Sequence, residues 1–309
     1  MRVAAVDLGT NSTRLLVADV DHGRVAEVVR RETITRMGEA VDRRGILLPT
    51  AIARTRNALV EYRREAEALG VERILAVATS AVRDAENGEA FLGEIEWSYG
   101  FTTRLLTGEE EAETMLRGVT SERALEARTL VVDIGGGSTE LVVAGPAGIE
   151  ATVSTEAGSV RLTERFLTSE PPGHDELDAC AAYVRSLLPP LSVAGAIGVA
   201  GTVTTAASIA HGGIGAVHGR RLTRGAVAVT RDRLAALPLA ERERVPGLAP
   251  ARAPVIVAGL VVLCEVLATY DLDVLTVSER DLLDGAALEA AELPAPEEGP
   301  APPGAYTCC

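Results

Sequence analysis

The sequence predicts an α/β protein made of two related halves that face each other across a cleft. Three observations carry that prediction. First, Leu130-Val-Val-Asp133-Ile-Gly-Gly-Gly-Ser-Thr-Glu140-Leu-Val-Val143 is an apolar run that ends on Asp133, passes three glycines and resumes as an apolar run bearing Glu140. This is the pattern of two buried strands joined by a tight turn. Second, Arg2-Val-Ala-Ala-Val-Asp7-Leu-Gly-Thr-Asn-Ser-Thr-Arg14-Leu-Leu-Val17 repeats it without a gap, so that Asp7 falls on Asp133, Gly9 on Gly135, Ser12 on Ser138 and Thr13 on Thr139. A single recurrence 126 residues on marks a duplicated domain rather than a short-period solenoid. Third, strand and helix patterns alternate after each hairpin.

The elements follow in order. Residues 23–35 continue the first hairpin as a third strand, 36–40 read as a loop, and 48–69 as an amphipathic helix with Arg54, Arg56, Arg63 and Arg64 on its solvated face. Residues 71–78 form a strand that runs into Thr79-Ser-Ala-Val-Arg83, and residues just past a strand's carboxyl end sit at the cleft of an α/β sheet. Arg83 is therefore either a phosphate ligand or an ordinary arginine at a helix start. A short strand, 103–106, precedes Thr107-Gly-Glu109-Glu110-Glu111-Ala-Glu113. The second half restarts at Leu130 and adds helices over 158–166 and 175–188, then a strand over 196–200. Gly201-Thr202 follows, where a turn into a helix either offers amides to phosphate or serves tight packing. Residues 230–243 read as an amphipathic helix and 255–268 as a buried apolar one. Residues 275–278 are a strand leading into the last helix. The halves are predicted as residues 1–120 and 121–293, with the last helix, about 279–292, packing back on the first. The tail 294–309 is expected to be disordered for want of apolar residues.

Composition narrows the function. A net charge of −14 argues against general nucleic-acid or membrane-surface binding. All 30 basic residues are arginine, which excludes a Schiff-base lysine and the lysine of a Walker loop but keeps the fork that grips phosphate. Cys180, Cys264, Cys308 and Cys309 lack metal-ligand spacing, and neither His211 nor His218 has partners in motif spacing. With no leader pattern and no apolar run long enough for a bilayer, a cytoplasmic protein is expected. Arg220, Arg221 and Arg224 form a basic cluster that fits either solvent or an extended polyanion.

The chemistry is expected at the two turns. Glycines at 135–137 let successive amides point at one oxyanion, and Asp133 with Glu140 beside bound phosphate is a way to hold Mg²⁺. In the first copy Arg14 stands where Glu140 stands in the second, a cation that can meet phosphate. Among the four acids after Thr107, Glu110 is spent on a capping box, while Glu109 and Glu113 have no apolar neighbours in register. Glu111 shares a face with Met115 and Gly118, which points it inward as a general base on water.

Asp7-Leu-Gly-Thr-Asn-Ser12, Ala78-Thr-Ser-Ala-Val-Arg83-Asp-Ala-Glu-Asn87, Gly108-Glu-Glu-Glu-Ala112, Asp133-Ile-Gly-Gly-Gly-Ser-Thr-Glu140 and Gly201-Thr202, in this order, resemble the exopolyphosphatase/guanosine pentaphosphate phosphatase (Ppx/GppA) family. The resemblance spans residues 1–292 and implies the duplicated actin-like, ribonuclease H-type ATPase fold. It implies Mg²⁺-dependent hydrolysis of the terminal phosphate of inorganic polyphosphate, or of the 5′ end of guanosine pentaphosphate. A non-hydrolytic sensor of guanosine alarmones is the alternative from another class, and a homodimer is an expected assembly. By the same resemblance Glu111 is the catalytic glutamate. Asp133 and Glu140, with Asp7 as counterpart, are the metal-side acids. Arg83 and the turns Gly9, Thr10, Asn11 and Ser12 and Gly135, Gly136, Gly137 and Ser138 are the phosphate ligands, to which the reading of the residues adds Arg14 and Gly201 with Thr202. The chain is similar to the short two-domain form found in actinobacteria. It departs from the family pattern at Arg252-Ala-Pro254 and at Ser278-Glu-Arg-Asp-Leu-Leu283.

Overall fold

A computed structural model describes residues 1–294. The first half begins with β1 (Arg2–Leu8), β2 (Ser12–Asp21) and β3 (Arg24–Ile34), then α1 (Val41–Arg44), α2 (Pro49–Ala68), β4 (Arg73–Ala78), α3 (Ser80–Arg83), α4 (Gly88–Tyr99), β5 (Thr102–Leu105) and α5 (Gly108–Val119). The second comprises β6 (Thr129–Ile134), β7 (Thr139–Gly145), β8 (Gly148–Thr155), α6 (Ser159–Phe166), α7 (His174–Leu187), β9 (Gly195–Val199), α8 (Ala200–Ala210), β10 (Arg221–Thr223), α9 (Arg224–Ala235), α10 (Leu239–Arg242), α11 (Ile256–Thr269), β11 (Val274–Val277) and α12 (Leu282–Glu292).

Each half builds one sheet with the same core order. The first is β3-β2-β1-β4-β5. The second is β10-β11-β9-β6-β7-β8, in which β11 takes the place of β5 and β10 adds an edge. In both, the hairpin strands are antiparallel and the crossover strands parallel. The duplication extends to irregularities. The register slips at Val17/Ala18 in one sheet and at Val143/Ala144 in the other, at equivalent places in the repeat. This is the duplicated actin-like, ribonuclease H-type fold.

Three apolar clusters hold it together. One packs α2 and α4 on the outer face of the first sheet, and another packs α7, α9 and the largely apolar α11 on the outer face of the second. The third fills the space between the sheets, joining Val3, Ala5 and Leu16 of the first and Val131 and Val142 of the second to α5 and α12. Here the two helices exchange partners: α12 lies on β1, β2 and β4, whereas α5 lies on β7 and β8. They cross at glycines. A methyl group on Gly118 would overlap the Asp281 carbonyl oxygen, and one on Gly285 would overlap that of Thr114, so backbone rests on backbone.

Two local features differ from expectation. The helix expected over 230–243 is two helices, because α9 starts earlier, capped by the Thr223 hydroxyl, and ends at Ala235. Pro238, which has no amide to donate, then opens α10. The loop after Met37 carries the one-turn α1. The arginines at 220, 221 and 224 lie on or beside the edge strand β10, where Arg224 pairs with Asp273 and Arg220 donates to the Ala216 carbonyl. The expected disorder of the tail, and Cys308 and Cys309, lie outside the described residues. Among the described residues no helix is long and apolar enough to cross a membrane.

Candidate active site

The two hairpin turns have the same geometry. The Gly9 amide donates to the Ser12 carbonyl at 3.1 Å and the Gly135 amide to the Ser138 carbonyl at 3.0 Å. Among the described residues the amides of Thr10, Asn11, Gly136 and Gly137 meet no protein acceptor, which leaves them as donors for an anion. The turns also touch. A Cβ on Gly136 would come within 2.8 Å of Thr10 Cβ, and one on Gly137 would overlap the Ser80 hydroxyl, itself 2.9 Å from Thr10 Oγ1.

Between them lies a cavity of about 70 Å³, enough for a few waters or one tetrahedral oxyanion. Of the expected residues, Gly9 to Ser12, Arg14, Gly135, Gly136, Ser138, Gly201 and Thr202 line it, together with Asp7, Asp133 and Glu111. Gly137, Glu140 and Arg83 do not. Gly137 is turned against Ser80, Glu140 is 1% exposed behind Asp133, and Arg83 stands beside Glu111 with Nη1 on the Leu106 carbonyl at 2.6 Å. The walls also include Ser80, Ser159, Arg252 and Leu282. The Arg252 guanidinium fills the space above Gly201, and a side chain there would have to displace it. Ala200, the first residue of α8, holds φ at 60°, a strained value located in the cavity wall.

Glu111 reaches the cavity because α5 is capped by its neighbours. The Glu110 amide donates to Thr107 Oγ1 at 3.2 Å and the Thr107 amide to Glu110 Oε2 at 2.8 Å. Glu109 and Glu113 stay exposed. Glu111 is 7% exposed, and its buried Oε2 has no hydrogen-bond partner, with Arg83 Nη1 at 3.6 Å. Burial first, then the charges of Glu140 and Asp133, push its pKa well above the carboxylate range, against the pull of Arg83. Asp133 is raised well above its ordinary value too, by burial and then by Glu140. The two stand directly opposite each other on β6 and β7, a like-charge pair that costs stability unless something neutralises it. Glu140 is raised by burial, although hydrogen bonds from Ser138 and Ser154 oppose the shift.

The equivalent pair in the first sheet is Asp7 opposite Arg14. Arg14, expected to meet phosphate, is held by acids of its own chain. Its Nε lies 2.9 Å and its Nη2 2.8 Å from Asp7 Oδ2, and its Nη1 donates to Asp281. Asp7 is raised by burial, which outweighs Arg14, and its Oδ1 is buried without a partner.

The profile of the Ppx/GppA phosphatase family matches residues 16–292. The chain belongs to this family. It is 38% identical to exopolyphosphatase 2 of Mycobacterium tuberculosis over 94% of this chain and 98% of that protein. It is 28% identical to a guanosine-5′-triphosphate,3′-diphosphate pyrophosphatase of Vibrio vulnificus over 93% of this chain and 58% of the other. The crystal structure of an exopolyphosphatase-like protein superposes with a TM-score of 0.88 at 35% identity, covering 93% of this chain and 97% of that one. Membership of Ppx/GppA makes the chain a phosphatase-family hydrolase.

The donor set of this Ppx/GppA member suits a hard cation. Three buried carboxylates, Asp7, Asp133 and Glu111, line the cavity and Glu140 is buried opposite Asp133, two of the four have an orphaned oxygen, and no thiol or imidazole is among them. Among the described residues no three acids, histidines or cysteines are grouped to hold a metal by themselves. Mg²⁺ is a hard cation that keeps waters and takes one or two carboxylates together with substrate phosphate oxygens.

Proposed function

We propose that the chain is an exopolyphosphatase, releasing orthophosphate from the end of inorganic polyphosphate with Mg²⁺ as cofactor, in the cytoplasm. The observation that carries this reading is the terminal cavity itself. It has room for one phosphoryl group, amide donors from two turns, and an unpartnered carboxylate oxygen on Glu111.

Mg²⁺, held by Asp133 and Glu140 with Asp7 as a further ligand, would supply positive charge to the phosphoryl oxygens. The chain's own residues do the rest. Free amides at Thr10, Asn11, Gly136 and Gly137 orient the terminal phosphoryl group and meet charge that develops on its oxygens. The Glu111 carboxylate accepts a proton from water as the water oxygen bonds to the terminal phosphorus. The bridging P–O bond breaks, and its oxygen leaves with the shortened chain. A carboxylate whose pKa is raised by burial and like charge suits a base working near neutral pH. Arg83, 3.6 Å away, limits that rise. The packed turns around a small cavity exclude bulk water.

The 5′-phosphatase reading for guanosine pentaphosphate is supported by the Vibrio relative and by a second cavity of about 210 Å³ next to the first. Phosphate release with Mg²⁺ from short polyphosphate, long polyphosphate and guanosine pentaphosphate, run in parallel, tests both readings. The expected result is release from polyphosphate at the highest kcat/KM. Release from the nucleotide alone overturns the proposal, and alarmone binding with no release from any substrate favours a sensor.

A further inference from the structure

Arg14, Ala200, Gly201 and Arg252 line both the terminal cavity and its 210 Å³ neighbour, so these residues stand at the passage between the two. This inference rests on the hydrolase reading. The part of an anionic substrate behind the scissile bond then leaves through that passage, and its next phosphate arrives at Arg14 and Arg252.

Both guanidinium groups are already engaged there by carboxylates. Arg252 Nη2 donates to Glu32, and Arg14 Nη1 donates to Asp281. The two acids are built differently. The Glu32 side chain is 36% exposed on β3 and can swing away at the cost of a rotamer change. Asp281 is 3% exposed and fixed from several sides. Its Oδ1 accepts the Leu283 amide at 2.9 Å as the cap of α12 and lies 3.9 Å from Arg30 Nη1. Its own amide donates to Asp284 Oδ2 at 3.1 Å. Its carbonyl oxygen is wedged against Gly118 at the crossing of α5 and α12. Asp281 cannot retreat when a substrate arrives without unseating α12.

We propose that Asp281 determines how the enzyme grips its substrate. It is a permanent internal carboxylate on Arg14, standing on the side where the penultimate phosphate must pass. Arg14 faces two acids, Asp7 and Asp281, and Arg30, which also reaches Asp281, is itself paired with Glu27 and Asp284, so the network around Arg14 holds no surplus positive charge. An incoming phosphate therefore meets a cation that is already compensated, and a fixed negative charge beside it. Grip is concentrated on the terminal phosphoryl group, and each additional phosphate adds little affinity.

Asp281→Asn tests this, because asparagine caps a helix as well as aspartate does and keeps the acceptor for Leu283. KM for tripolyphosphate is expected to fall about tenfold, the change that ~1.4 kcal/mol represents, and KM rather than kcat carries the effect. Asp281→Ser, a second cap-competent variant, should move KM in the same direction. In the wild type, KM should change less than about threefold between tripolyphosphate and long polyphosphate. KM unchanged or raised in both variants, with thermal stability retained, overturns the proposal, and so does a wild-type KM that drops steeply with chain length. If the wild type releases no phosphate from any polyphosphate, the hydrolase reading fails separately. The role of Asp281 is then decided by equilibrium binding of tripolyphosphate, expected to be tighter in Asp281→Asn, and equal or weaker binding sinks it.

Discussion

Replacing glycine by alanine inside a helix ordinarily stabilises it by ~1 kcal/mol. At the crossing of α5 and α12 the sign should reverse. A methyl group on Gly118 would overlap the Asp281 carbonyl oxygen and lie 2.8 Å from the Gly285 nitrogen, and both obstacles are backbone. The helices must separate by about 1 Å, which loosens the cluster between the sheets, where Leu282, Leu283, Ala286 and Ala287 are buried. Overpacking of this kind costs ~1–3 kcal/mol, and more where backbone is struck, so a net loss of about 2 kcal/mol remains after the helix gain. That is a Tm lowered by ~3 °C in calorimetry for a chain of this length, for Gly118→Ala and for Gly285→Ala alike. Because α5 carries Glu111, a shift of that size should also lower kcat by ~10²-fold. Gly93→Ala in α4 is the control, since a methyl group there meets nothing within 4 Å, and it should raise Tm by ~1–3 °C. If Gly285→Ala is as stable and as active as the wild type, the helix contact has been misjudged.

Glu111→Gln should lower kcat by ~10²–10⁴-fold without loss of Tm, since it replaces a buried carboxylate lacking a hydrogen-bond partner on Oε2 with a neutral amide. A folded variant releasing phosphate at the wild-type rate removes Glu111 from its role. Arg83→Ala should push the Glu111 pKa higher still, moving the acidic limb of the kcat–pH profile to higher pH, and an unmoved limb contradicts the coupling. Glu111, Asp133 and Glu140 are raised in the folded state, so the native protein binds more protons than the unfolded chain above the ordinary carboxylate pKa of about 4. Metal-free stability is thus fullest below that value and is lost as pH rises through the raised pKa values. Added Mg²⁺ should raise Tm more at pH 8 than at pH 5, by the equivalent of ~2.7 kcal/mol at a hundredfold excess over Kd. Equal shifts at the two pH values would refute the placement of the cation among these acids.

The parts of the molecule written in local sequence were legible. Each hairpin is announced by an apolar run, a small-residue turn and a second run, and the ungapped repeat of Asp7 on Asp133 reappears as the same register slip in both sheets. The inward aim of Glu111 followed from the capping box and helical spacing, both local properties. Pairings between distant residues were not legible. Arg14 was read as a free cation because nothing within a helical turn or a strand neighbour reveals Asp281, 267 residues away. Arg252 and Ser278 to Leu283 were noticed only as departures from a family pattern, although they supply Arg252, Asp281 and Leu282 around the two cavities. The helix over 230–243 was overextended because amphipathic spacing was allowed to outweigh Pro238, which no helix interior accommodates cheaply.

The exchange of final helices has a consequence for anyone who would take the protein apart. A cut after residue 120 follows the repeat in the sequence, yet it would leave the first fragment without the helix that covers β1 and β2, and the second with its own last helix uncovered and β7 and β8 bare. Each fragment alone would expose a greasy sheet face and invite aggregation. Mixed together, the fragments hold every missing surface between them. Co-expression of the two pieces should rebuild a soluble enzyme where neither piece alone is soluble, so the unit of folding is the pair.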